Sequence, residues 1–243
     1  MQFNEAQIQA IQHNTGPCMV IAGPGSGKTT VLTHRVRYLI ERYGVNPSDI
    51  LVITFTKAAA EQMKLKFKGL SEGRNSAVTF GTFHAVFFTI LKAAYNYSAH
   101  CIIKPQIQHE FVKDQMCRLE LEYDDENEAV AGVLSEISCV KGEDVNIDEY
   151  ESRCIPPQSF RIMYRAYDDM LVRKHLIDFD DMIVQCRELL MQREDYRRAW
   201  QNKYKYILID EFQDINKAQF DVVRILADEY RNLFVVGDDD QSI

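Results

Sequence analysis

No stretch of this sequence approaches the roughly 20 uninterrupted apolar residues that a membrane span needs. The opening residues, MQFNEAQIQA, also lack the basic-then-apolar build of a secretory leader. A cytosolic protein is the expectation. Cysteine is sparse and scattered: Cys18, Cys101, Cys117, Cys139, Cys154 and Cys186 form no CxxC pair and have no histidine at finger spacing. Neither a zinc site nor a disulfide framework is expected, and the thiols should be reduced and mostly buried, because cysteine packs as a small apolar side chain. Linkers rich in Gly and Ser, low-complexity tracts and internal repeats are missing too. With 243 residues, 46% hydrophobic and 26% charged, the composition is that of an ordinary folded chain, one large domain or two small ones.

An overall excess of positive charge is likewise lacking, since the net charge is −8. The distribution matters more than the sum. Residues 1–95 carry ten Lys and Arg against five Asp and Glu, and the remainder eighteen against thirty-one. Nucleic-acid binding depends on where cations cluster, so the total decides nothing about it.

The first third alternates short apolar runs with helical patterns. Strands are expected at 17–22, 50–55 and 77–80, and helices at 29–43, 58–68 and 83–95. Strands separated by helices imply parallel pairing with right-handed crossovers. From 96 to 177 the texture becomes helical and charged, with an acidic patch at Asp124, Asp125 and Glu126 and a Pro156-Pro157 pair, which reads as a helical insertion. The α/β texture returns with strands at 206–210 and 233–237 around a helix at 217–228. The division expected is therefore 1–95 and 178–243 as one α/β domain, with 96–177 inserted. The sequence ends at Ile243 directly after a strand, where a folded domain seldom stops, so a piece of a longer chain is expected.

The strongest chemical signal is AGPGSGKTT at 22–30, between a strand and a helix. Ala22, Gly23, Pro24, Gly25, Ser26 and Gly27 form a P-loop in which backbone N–H groups turn inward around a phosphate, and the following helix aims its positive end at the same anion. Lys28 would neutralise β/γ-phosphate charge, the Thr29 hydroxyl would complete a Mg²⁺ shell, and Thr30 follows. Alanine instead of glycine at position 22 is a small departure from the consensus. A P-loop needs a metal-ordering carboxylate at the end of a neighbouring strand, and YILIDE at 206–211 supplies it. Asp210 would hold Mg²⁺ through water and Glu211 would polarise a water for attack on the γ-phosphate. The third cluster, VVGDDDQ at 235–241, puts more acids and Gln241 at the end of another strand, the edge where ligands bind in open parallel sheets.

Together these segments resemble the ATP-binding half of superfamily-1 DNA helicases of the UvrD/Rep/PcrA type. The resemblance implies a RecA-like α/β P-loop fold with an inserted helical subdomain, ATP and Mg²⁺ as ligands, and single-stranded DNA as partner. FNEAQ at 3–7 resembles the family's glutamine motif, which assigns Gln7 to the adenine edge; read alone it is preferably a helix start capped by Asn4. TFTKAAAEQM at 54–63 resembles the segment that contacts single strands. It implies base stacking by Phe55 and a cationic contact at Lys57, which stands where Asn is usual, while Ala58 stands where Lys is usual. Lys64, Lys66 and Lys68 follow on the same helix and fit either phosphate tracking or a solvated face. GTFH at 81–84 implies that a tight turn delivers Thr82 and His84 toward the DNA backbone. The acids of DFDD at 178–181 read as helix-capping and domain-joining. DEFQDIN at 210–216 assigns γ-phosphate sensing to Gln213, and GDDDQSI contains Gln241. Thr30 occupies a place where many relatives carry an arginine near the base, and Arg35, five residues on, should not inherit that role.

By the same resemblance, a second RecA-like domain is needed to supply transition-state arginines and to translocate, and it is missing from these residues. An arginine of that kind is worth about 10³ to 10⁵ in rate. The expectation is a chain that binds ATP·Mg²⁺ weakly and hydrolyses it barely. It would belong to a 3′-to-5′ helicase of repair or replication that takes 3′-tailed duplexes. An ATP-gated DNA-binding module without motor activity, and a small-molecule P-loop kinase, are the other classes that AGPGSGKTT allows.

Overall fold

The computed structural model describes residues 3–23, 25–71 and 77–238; Pro24 and Gln241 lie outside them. In chain order the described elements are α1 (Glu5–Gln12), β1 (Cys18–Ile21), α2 (Lys28–Tyr43), β2 (Ile50–Thr54), α3 (Lys57–Leu70), β3 (Thr79–Thr82), α4 (Phe83–Ala94), α5 (Pro105–Arg118), α6 (Glu126–Glu143), α7 (Pro157–Lys174), α8 (Phe179–Gln192), α9 (Glu194–Lys203), β4 (Tyr206–Ile209), α10 (Lys217–Ala227) and β5 (Leu233–Gly237). The five strands form one sheet in the order β1-β5-β4-β2-β3, and every pair is parallel. The carboxyl ends of all five strands therefore lie along one edge, as the α/β P-loop reading required.

Strand residues alternate between two cores, as a sheet covered on both faces demands. Ile50, Val52, Leu208, Phe234 and Val236 pack with α1, α2 and α3 residues such as Ile11, Leu32, Leu39 and Phe67. Leu51, Ile53, Ile207, Ile209 and Val235 face the opposite way onto α4, α8 and α10, through Phe87, Ile90, Ile183 and Val222. Burial in α2 falls at Val31, Leu32, Arg35, Val36 and Leu39, one stripe of a 3.6-residue period. The second layer stops short of β1, where Met19 and Ile21 stay 58% and 60% exposed.

Helix α9 was not anticipated, and α8 only as a helix capped by the DFDD acids, since its charged face hides the apolar stripe Met182, Ile183, Cys186, Leu189, Leu190. Strand β3 lies two residues later than expected, so Gly81 and Thr82 end a strand. Thr82 then caps α4 by accepting from the Ala85 N–H at 3.2 Å. No separate tight turn precedes Phe83 and His84: a Thr hydroxyl can start the helix where the strand stops.

A third core, of Val112, Met116, Val130, Val133, Ile137, Phe160, Met163 and Tyr167 among others, lies within α5, α6 and α7. The chain entering this region runs beside the chain leaving it: Ile103 N–H donates to Ile177 O at 2.9 Å and Ile177 N–H to Cys101 O at 2.7 Å. A buried ion cluster closes the joint. Lys141 on α6 meets Asp178 at 3.0 Å, Asp181 at 2.7 Å and Asp168 at 3.1 Å. Asp178 and Asp181 also make the reciprocal capping box of α8, so the DFDD acids do cap a helix and join the two cores.

The thiols correct one expectation. Cys186 alone is buried, Cys18 and Cys101 are half-buried, and Cys117, Cys139 and Cys154 are exposed. The helices of the third core bury a single stripe, Val133, Ile137 and Val140 in α6, and Cys139 falls off it.

Candidate nucleotide site and DNA-facing edge

The P-loop follows β1 and ends in α2. Gly27 is the first cap of α2 at φ 87°, a left-handed conformation that a Cβ would strain. Just beyond it, the N–H groups of Lys28 and Thr29 belong to the first helical turn, where the helix itself offers no acceptor. Gln7 on α1 reaches the loop, its side-chain amide donating to Ser26 O at 3.0 Å. Gln7 is itself fixed by the capping box with Asn4, so FNEAQ is a capped helix start whose glutamine also touches the loop. Thr30 accepts from the Lys66 ammonium at 2.7 Å. Of Lys64, Lys66 and Lys68 on α3, then, Lys66 points toward the P-loop.

Asp210 leaves the end of β4 fully inside the site. Burial first and the neighbouring Glu211 charge second push its carboxyl up to about 6, against the opposing pull of Lys28 and the Thr29 hydroxyl. Its Oδ1 is buried without any hydrogen-bond partner. An orphaned carboxylate oxygen beside a threonine hydroxyl fits Mg²⁺, which takes one or two carboxylates and leaves the rest of its shell to phosphate and water. Among the described residues no group of three or more His, Cys, Asp or Glu offers an all-protein metal cage.

Glu211 next to it sits at φ 55° and ψ 49°. A non-glycine residue held there costs about 1 to 3 kcal/mol, and the turn it makes brings Gln213 back under β5. The Gln213 amide donates to Glu211 at 2.9 Å, and its carbonyl accepts from the Asp238 N–H at 3.0 Å. Gly237 permits this approach, since a Cβ there would come within 3.2 Å of Gln213 Oε1. Asp238 carries the contact that the sequence left unassigned: its carboxylate accepts from Lys28 Nζ at 3.1 Å, with Glu211 farther off at 3.8 Å. The only sequence signal for it was its place in the GDDDQ run. Lys28, Thr29, Asp210, Glu211, Gln213 and Asp238 thus converge at the β1-β5-β4 end of the edge.

This chain belongs to the UvrD/REP helicase N-terminal domain family. Residues 3–243 match that family. Among its relatives, the ATP-dependent DNA helicase PcrA of Staphylococcus epidermidis is 34% identical over 253 aligned positions, covering 99% of this chain and 34% of the relative. PcrA of Staphylococcus aureus is 33% identical over 250 positions, with the same shares. The chain therefore spans about a third of the length of these relatives.

The UvrD/REP-type edge continues past β2 and β3 with a different chemistry. Phe55, half-buried, meets Phe83 edge-on at 5.2 Å, and His84 meets Phe179 edge-on at 5.1 Å. Phe179 is 53% exposed, a surface aromatic that the capping role of DFDD had obscured. Burial holds the His84 imidazole below its ordinary range, so it is neutral at pH 7. Lys57, the first residue of α3, is exposed and its partner Glu61 is 3.8 Å away. Arg35 is far from any such role: it is buried over the Phe234 ring at 4.3 Å and donates to Ala10 O and His13 O, closing the end of α1.

Proposed function

We propose that this chain is the ATP- and Mg²⁺-binding first motor domain, with its helical insertion, of an ATP-dependent helicase that moves along single-stranded DNA. The observation that carries this reading is the meeting of Lys28 and Thr29 with Asp210, some 180 residues away in sequence, around an unpartnered carboxylate oxygen. Gly23, Gly25, Ser26 and Gly27, with Ala22 and Pro24 at the start of the loop, wrap the phosphates, and Gln7 holds the adenine edge. Lys28 neutralises phosphate charge; Thr29 and Asp210 hold the metal. Glu211 orients the attacking water, and Gln213 and Gln241 report the γ-phosphate. Bound Mg²⁺ would supply charge neutralisation on the transferring phosphoryl group.

Single-stranded DNA crosses the β2 and β3 end, with Phe55 stacking on a base, Lys57 and the Thr82 hydroxyl at phosphates, and neutral His84 as a hydrogen-bonding partner. The domain division is 1–95 and 178–243 for the motor fold and 96–177 for the insertion. Translocation, 3′ to 5′ along 3′-tailed substrates, needs a second RecA-like domain, so this chain alone binds nucleotide weakly and turns it over barely. Binding of a non-hydrolysable ATP analogue, followed by calorimetry with and without Mg²⁺, tests the reading. Lys28→Ala should abolish the heat, and equal affinity in wild type and variant would refute the assignment.

A further inference from the structure

Lys28 is engaged by a carboxylate of its own chain. Its ammonium, on a side chain only 10% exposed, is bonded at 3.1 Å to Asp238, whose side chain is 0% exposed, with Glu211 at 3.8 Å. The Asp238 main chain is pinned as well, because its N–H donates to Gln213 Oε1 at 3.0 Å, beneath the close approach of Gln213 to Gly237. The carboxylate cannot simply swing into solvent. A triphosphate entering the loop brings negative charge to the same ammonium, in a partly desolvated place where like charges repel far more than in water.

We infer that Asp238 is an affinity-setting residue of the nucleotide site: it holds Lys28 in the empty protein and must yield it to the incoming phosphates. This rests on the reading of the P-loop given above and adds a competitor to it. The exchange is ionic only; no bond is made or broken and no proton need move. Among the described residues the next acid to Lys28 is Glu211, farther off at 3.8 Å and more exposed. Asp238 is therefore the anion that the phosphates replace. The consequence is a fold whose apo state is held by the same lysine that recognises the ligand, so nucleotide affinity is lower than the loop alone would give.

The test compares binding of a non-hydrolysable ATP analogue to the 243-residue chain as wild type, Asp238→Asn, Asp238→Ala, Lys28→Ala and the double variant Lys28→Ala/Asp238→Asn. Asparagine keeps an oxygen for Lys28 and the backbone bond to Gln213 but removes the charge. Affinity should rise about tenfold in Asp238→Asn and rise in Asp238→Ala as well. The gain should be largely lost when Lys28 is absent. Unchanged or weaker binding in both Asp238 variants, with wild-type binding still dependent on Lys28, would overturn the competitor role and leave the site reading intact. A loss seen only in Mg²⁺ would assign Asp238 to the metal shell and also overturn it. No binding by wild type, or binding indifferent to Lys28→Ala, would instead refute the nucleotide site itself. Thermal unfolding of each variant shows that folded protein is compared.

Discussion

Two lysines in this molecule are almost removed from water and held by carboxylates, yet they serve opposite ends. Lys141, 4% exposed, is saturated: three carboxylates within 3.1 Å occupy its three N–H bonds, and the Tyr167 ring lies 5.2 Å from it. Lys28 has one direct partner and one loose one, and it stands at the end of a glycine-lined loop beside a carboxylate oxygen with no partner. A buried ion pair with all its bonds made is a fastener, whereas one with bonds to spare beside an open cradle is exchangeable. Burying a charge is costly in both cases; the difference is whether a ligand can complete the set.

That contrast can be broken experimentally. Lys141→Met should have the largest effect, because it leaves Asp168, Asp178 and Asp181 facing one another without their cation. A loss of about 3 to 5 kcal/mol in denaturant unfolding is expected, and a change below about 1 kcal/mol would mean that the cluster is not a fastener. The same variant carries a pH signature. Burial first, then the Asp178 charge, pushes Asp181 up to about 6 despite Lys141. A carboxyl raised in the folded state contributes stability below its unfolded value and loses it as pH rises through its folded value. Lys141, raised by these carboxylates, keeps its contribution until well into the alkaline range. Without the lysine the carboxylates titrate higher still, so the deficit of the variant in thermal midpoint should be small at pH 5 and grow toward pH 7.5. A deficit that stays constant over that range would contradict the assignment.

An uncharged contact on the same sheet edge should rank between the two lysines. Phe55→Ala is expected to weaken single-stranded DNA binding by about 1 to 3 kcal/mol while leaving nucleotide affinity unmoved, as fluorescence anisotropy and calorimetry on one preparation would show. Equal losses for both ligands would mean that the residue acts by folding alone. The smallest stability effect belongs to Lys28→Gln. It leaves one buried carboxylate without its cation where Lys141→Met leaves three, so unfolding should shift by less than in that variant, even though nucleotide binding falls sharply. A stability loss as large as that of Lys141→Met would erase the distinction between fastener and exchangeable pair.

Much of this was legible in the linear chain because it rests on local chemistry. A strand ending in AGPGSGKTT reads as a P-loop because glycine freedom, a helix start and a lysine are consecutive. The parallel sheet follows from strands separated by helices. Helix α9 and the extent of α8 were missed because a charged surface face masks their period. The exposed cysteines were misjudged because exposure depends on which stripe a helix turns inward. Phe179 was hidden inside a motif whose acids already had a structural use.

By itself, then, the order of residues determined the strands, the phosphate-binding turn and the acids beside it, since backbone freedom, side-chain period and charge act over a few residues. Only the folded molecule decided that Lys28 is met by Asp238, that Lys66 reaches Thr30, and that Lys141 binds the acids of DFDD. Those partners are separated by tens to hundreds of positions, and only sheet order and helix packing bring their charges within reach.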